Sequence, residues 1–458
     1  MLLVKVVKKM KLEKFKMKNH KKMAIIVFVF MIGIITGYVI FYQSYAFYEE
    51  NKNFDVINGT VEDPGDIYFA YYIDGVISRN MPLQNTGYTL DDAKSNCNNN
   101  VIVKWDNASW EAKVNYKNYS ATDNTRTKCT LYFNKTAKTV KTALGNIEVN
   151  SYTPDFTKSA CDTSNCESHE KGIYETTAAD GTSYYYRGAV ENNYLKFAGF
   201  YWRIIRINRN GSIRIIYDGT SAHANGESSA DRQYGTSQFN TSSGNNMYVG
   251  YMYTSGEAYG TGTSSTIKTN ADKFYTDKLS SYASKLDTNV GFCGDRSNLN
   301  GQSGVGTGTV ITYNKGYLRV LESAPTLACE NVSDYYTVAS ASSGNKKLSY
   351  PIGLITADEM MLAGHAGGVF DGSYNHMKKN NGSYLETGNN FWTMTPAGGY
   401  NPFVDTHWRA GVFNVVGSSG TIDDTYVHDT NGLRPVINIR SDVTITGSGT
   451  MTDPYVVS

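Results

Sequence analysis

Six cysteines, seven histidines and a few acid and arginine pairs are the residues of this 458-residue chain whose types permit chemistry. The cysteines are Cys97, Cys129, Cys161, Cys166, Cys293 and Cys329, and no two form a C-x-x-C pair. Zinc cages draw on such pairs, and His169, His223, His365, His376, His407 and His428 are scattered, so a metal centre is disfavoured. Disulfides are the better use of six cysteines in a domain that faces an oxidising space. Fifteen pairings are open in principle. Local spacing favours Cys97 with Cys129, Cys161 with Cys166, and Cys293 with Cys329. The first and last would each close a loop of about thirty residues, worth ~3–4 kcal/mol in the chain-entropy account. Cys161 and Cys166 are near enough to act as a redox pair, but without an activating helix terminus a structural clip is the simpler reading.

The remaining polar groups offer less. Asp423, Asp424 and Asp429 are a small acidic cluster, whereas a calcium site needs several carboxylate and amide oxygens converging. Asp295-Arg296 invites a catalytic role, yet fixing a turn explains it as well. G-x-S-x-G, H-E-x-x-H and phosphate-loop patterns do not occur, and no nucleophile–base pair presents itself. The chain therefore reads as a non-enzyme with no cofactor.

The element that decides where these residues work is Met23–Tyr42, which carries no charge and is long enough to cross a hydrocarbon core of ~30 Å. Nine lysines precede it against a single Glu13, which places the N-terminus in the cytoplasm and the C-terminal portion outside. Ser44-Tyr45-Ala46 resembles a cleavage site, but signal-peptide apolar regions are shorter, so a retained signal anchor in the lipid bilayer is expected. Gly33 and Gly37 form a G-x-x-x-G pattern that permits close helix–helix packing, though glycine is common in membrane helices. The net charge is +1 with the lysines in the arm, so the exterior is mildly acidic, which argues against a nucleic-acid partner.

An α+β, β-rich fold is expected beyond the anchor. The arm is 1–22, the span 23–42 and a juxtamembrane stalk 43–53. Short alternating runs over 54–150 suggest a small β-sandwich spacer, with Trp105 and Trp110 in its core. Residues 151–186 read as a disulfide-clipped linker, 187–443 as the distal domain and 444–458 as a C-terminal edge strand. In the distal domain, Arg209-Asn210-Gly211 joins two apolar runs and signals a hairpin. Arg203, Arg206, Arg209 and Arg214 read as a solvated face or edge protection. Residues 220–266 look like an irregular excursion, Asn270 looks like a helix N-cap, and Thr356 with Glu359 forms a capping box closed by Gly364.

Asn390-Phe-Trp-Thr-Met-Thr-Pro396, then Trp408-Arg-Ala-Gly-Val-Phe-Asn-Val-Val416, a Gly-Ser-Ser-Gly turn, and Asn431-Gly-Leu-Arg-Pro-Val-Ile-Asn-Ile439 follow one another. That order resembles the end of the C-type-lectin-like fold, as in bacterial surface versions and the formylglycine-generating-enzyme-like group. The module is also similar to one that recurs in exported Firmicutes surface proteins. The resemblance implies that Trp202, Trp392, Trp408 and Arg434 are structural core. The enzymatic relatives need a reactive cysteine pair late in the domain, and here the last cysteine is Cys329. The expectation is a membrane-anchored extracellular binding or adhesion protein with a glycan or protein ligand. A subunit of a surface filament or envelope complex is the alternative, with a cell-wall or glycan hydrolase behind it.

Overall fold

Tyrosine, phenylalanine and β-branched residues alternating with polar ones commit the chain to short strands from Tyr68 onward. The computed structural model describes residues 67–458 apart from 85–86, 107–108, 121–125, 146, 158–159, 161–169, 300–311, 366–382, 401–408 and 417–420. The span at Met23–Tyr42, Gly33, Gly37, Cys161, Cys166 and Trp408 lie outside the described residues. Among the described residues no helix is long and apolar enough to cross a membrane.

Seven strands open the structure: β1 (Tyr68–Ile73), β2 (Val76–Ser78), β3 (Tyr88–Leu90), β4 (Asn96–Cys97), β5 (Ile102–Asp106), β6 (Glu111–Asn115) and β7 (Lys128–Lys135). They build a sheet of order β2-β1-β7-β3, with β4 also on β7 and β1 parallel to β7. β5 and β6 form a separate ribbon. Trp105 stands edge-on to both Trp110 and Phe133, with ring centroids 5.1 and 5.0 Å away, which ties the ribbon to the sheet. Cys97 sits opposite Cys129 in register, and the two are disulfide-bonded.

Next come β8 (Lys138–Thr139), β9 (Gly172–Ala178), β10 (Gly181–Arg187), β11 (Tyr194–Phe197), β12 (Phe200–Ile207) and β13 (Ile213–Gly219). They are followed by β14 (Thr236–Gln238), β15 (Met252–Tyr253), β16 (Thr263–Ser264), β17 (Phe292–Cys293), β18 (Thr312–Tyr313) and β19 (Tyr335–Tyr336). The last group is β20 (Phe391–Tyr400), β21 (Arg409–Val416), β22 (Thr421–Tyr426), β23 (Thr430–Gly432), β24 (Val436–Ile439), β25 (Thr444–Thr446) and β26 (Tyr455–Val457). One large sheet runs β24-β13-β12-β11-β26-β25-β8, with β10 pairing β12 and β9. A second runs β14-β23-β20-β21-β22, with β18 on β20. The closing strands thus divide between the sheets, and Arg434 stands between β23 and β24.

Some local expectations are met and others are moved. Thr356 and Glu359 form a complete capping box on the Ala357–Leu362 helix, and Gly364 follows at φ 115°. Another helix, Thr266–Phe274, is capped by Ser265, while Asn270 lies inside it and donates to Ser237 Oγ at 2.8 Å. Serine is as good an N-cap as asparagine, and it came five residues sooner. The Asn-Gly hairpin joins β12 to β13, with Gly211 at φ 79°.

The irregular stretch 220–266 holds only short elements, and Phe239, Val249, Tyr251 and Met252 within it are buried in the main core. Residues 444–458 do not form an edge either. β26 lies between β11 and β25, and β8 takes the outer position. Val140 and Leu144, within the stretch expected to be the spacer, pack in the same main core.

Candidate functional site

Apolar strands with an arginine every few residues suggest an open face, and here that expectation is corrected. Arg203, Arg206 and Arg214 are buried, and only Arg209 is exposed. The reason is topological, because β12 and β13 are central in the large sheet and both of their faces are covered. A β-bulge between Ile204 and Arg206 places Arg206 directly opposite Arg214. Two like charges in register repel, so a counterion must come from elsewhere in the chain.

That counterion is Glu359, set in the first turn of the Ala357–Leu362 helix by the capping box. Its Oε1 accepts from Arg214 Nη1 at 2.9 Å and lies 3.4 Å from Arg206 Nε. Its Oε2 accepts the Thr356 N–H at 3.0 Å. Arg214 also donates to Asn438 Oδ1 and to the Gly291 carbonyl, and lies over the Phe292 ring. Burial pushes the Glu359 carboxyl up, but Arg214, Arg206 and the Thr356 N–H more than offset this, and it is held below the usual range. Burial, and then Arg214 opposite, lower Arg206 to about 10.

A second cluster adjoins the first. Arg319, on the Lys315–Leu321 helix, holds Asp358 with Nε at 2.8 Å and Nη2 at 3.1 Å, and Asp295 with Nη1 at 2.7 Å. This is the bidentate fork that suits arginine to carboxylate. Asp295 follows β17, whose Cys293 is disulfide-bonded to Cys329. Arg206, Arg214, Arg319, Asp295, Asp358 and Glu359 line one cavity whose volume, open to the centre of a water-sized sphere, is about 20 Å³. That is room for about one water. Asp180 lines the same cavity, so three guanidiniums face four carboxylates.

Arg434, Arg232 and Arg296 are likewise engaged. Arg434 donates to Tyr217 O, Leu385 O and Asp218 Oδ1, at 3.1, 2.9 and 3.0 Å. Asp218 also receives Arg232 Nε at 2.9 Å. Burial lowers Arg434 to about 9 despite Asp218. Trp202 and Trp392 are fully buried, with indole N–H groups donating to Phe197 O at 3.0 Å and Ser237 O at 2.7 Å. Arg296 grips Asp334 and donates to the carbonyls of Met252 and Gly260. Asp295 and Arg296 therefore act in separate ion pairs.

One constellation went unseen in the sequence. His223 Nδ1 lies 2.9 Å from Glu227 Oε1, while Nε2 lies 2.9 Å from Asp231 Oδ1 and 3.3 Å from Ser221 Oγ. A serine, a histidine and an acid in that order suggest a hydrolytic triad, but Asp231 occupies the nitrogen that would serve Ser221. Asp231 also accepts the Thr220 N–H at 3.1 Å. Burial pushes its carboxyl up, while bonds from Ser229, Thr220 and His223 outweigh that and hold it well below the usual range. The arrangement clasps the 220–232 loop. Its sequence signal was three polar residues spaced by four, Glu227 to Asp231 and His223 to Glu227, in a stretch without apolar periodicity.

Asp423 and Asp424 are neighbours on β22, opposite Asn414 and Phe413. Successive strand residues point to opposite faces, so the two carboxylates do not converge. Among the described residues no group of three or more potential ligands is placed to hold a metal ion. Compared with known proteins, the chain matches no family model, no curated protein and no solved structure at a significant level.

Proposed function

We propose that this chain is a membrane-anchored extracellular binding or adhesion protein without catalytic activity, tethered by Met23–Tyr42 and presenting the 187–443 region as a C-type-lectin-like head. The observation that carries this reading is the state of the interior. Its strongest chemical groups, Arg206, Arg214, Arg319 and Arg434, are each engaged by carboxylates of the chain itself. Such groups hold strands and helices together, and ligand contact falls to the outer surface. Two disulfides, Cys97–Cys129 and Cys293–Cys329, suit an oxidising exterior.

Protease added to intact cells, followed by thiol alkylation before and after reduction, tests the placement. The expected result is loss of the 67–458 portion and alkylation of its cysteines only after reduction. A portion shielded from protease with freely alkylatable thiols refutes it. Binding of that portion to glycan or host-protein arrays then tests the adhesion reading. Ordered polymers on cross-linking, with no array binding, favour a filament subunit instead.

A further inference from the structure

The three most exposed large apolar side chains among the described residues lie in one short segment. Val76, Ile77 and Leu83 are 68%, 69% and 77% exposed, and Met81 is 42% exposed. All four lie on β2 and the turn that follows it. Between Gly75 and Leu90 the single charged residue is Arg79, and there is no carboxylate. β2 is the outermost strand of its sheet among the described residues. Sheet edges are ordinarily blunted by charge or proline, and an apolar edge marks a contact surface.

The segment is held in shape. Asp74 and Gly75 make the turn at φ 48° and 82°, and Ile73, Tyr72 and Tyr71 pair with Val76, Ile77 and Ser78. Ser78 Oγ donates to Asn80 O at 2.7 Å. Pro82 is buried, and its carbonyl accepts Trp110 Nε1 at 2.8 Å. Met81 and Leu83 therefore flank an anchored proline, and little ordering entropy is lost when they dock.

The chain itself indicates what they dock on. Residues 43–66 separate the end of the span at Tyr42 from Ile67, and twenty-four residues reach no further than ~85 Å. The β1–β2 hairpin is the first described element after that connection. A tether of this length keeps the hairpin at high local concentration near the lipid surface. Apolar side chains with one arginine, and with the turn acid Asp74 already accepting from Tyr88 OH and the Lys135 N–H, suit the boundary between headgroups and acyl chains. We propose that Val76, Ile77, Met81 and Leu83, with Arg79 at the phosphates, form a second, interfacial contact with the bilayer that holds the anchor. This rests on the anchored reading given above.

The test uses the full chain reconstituted into phosphatidylethanolamine–phosphatidylglycerol vesicles that contain a lipid with a photoactivatable acyl chain. After irradiation and digestion, labelled peptides are mapped by mass spectrometry. Label is expected in Met23–Tyr42 and in residues 74–84. The I77E/L83E variant is expected to lose the second label at least tenfold and keep the first. A labelled span with an unlabelled hairpin overturns the contact and leaves the anchor standing, whereas an unlabelled span overturns the anchor. Hairpin cross-links to a second copy, with no lipid label, overturn it in favour of self-association. I77S/L83S serves as a second variant, and unchanged thermal unfolding of both shows that they fold.

Discussion

Replacing Glu359 with glutamine removes the one carboxylate between two arginines that face each other across β12 and β13. Glutamine keeps the shape and one carbonyl oxygen. It loses the charge that holds Arg214 at 2.9 Å and Arg206 at 3.4 Å, and it sets an NH₂ against either a guanidinium or the Thr356 N–H. Breaking a buried ion pair by removing one partner costs about 3–5 kcal/mol, because the remaining charge stays desolvated. For a folded unit of this size the urea dependence lies near ~3 kcal/mol/M, so the midpoint should fall by about 1–1.7 M. The assay is urea unfolding without reductant, followed by the fluorescence of the buried Trp202 and Trp392. The triple variant R206M/R214M/E359M removes all three charges and should recover most of the loss. An unfolding free energy for Glu359→Gln within ~0.5 kcal/mol of the parent, or a triple variant as unstable as the single one, refutes the ion-pair account. The pH dependence has a definite sign. The folded carboxyl is depressed below the ordinary 4.5, so its contribution is complete above about pH 4.5 and fades as pH falls toward the folded value.

Asp424 behaves in the opposite way. Burial, and then Asp423 beside it, raise its carboxyl to about 6 from an ordinary 3.8, so its own contribution is fully present below about pH 3.8 and is lost as pH rises through about 6. Asp424→Asn should remove that slope in pH-resolved urea titrations and stabilise by about 2–3 kcal/mol at pH 7.5. Cysteines 293 and 329 are 36 residues apart, and C293S/C329S should lower stability by about 4 kcal/mol in the same titration. Trp110→Ala removes a buried indole packed on Trp105 and Phe133 and the bond to Pro82. It should cost about 3–5 kcal/mol and loosen the 76–84 segment in hydrogen exchange.

The site was legible in the sequence only in pieces. Thr356 and Glu359 declare themselves as a capping box because both partners lie within one helical turn. Asn210-Gly211 declares the hairpin because only a positive φ closes it. Arg206 and Arg214 were visible as arginines in apolar runs, but nothing near them showed that the strands would be covered on both faces. Their counterion is 145 residues from Arg214, and no local pattern spans that distance. The same holds for Asp218 and Arg434, which are 216 apart, and for β26, whose neighbours β11 and β25 were not readable from alternation alone.

What the amino-acid order determined by itself was short-ranged: an apolar stretch of membrane length, strand-forming alternation, turns, caps, and the spacing that pairs Cys97 with Cys129 and Cys293 with Cys329. Tertiary structure decided which of those strands lie inside and which charges meet. Burial depends on what packs against a residue from far along the chain, and an arginine enters a core only where a carboxylate from another element is placed to receive it.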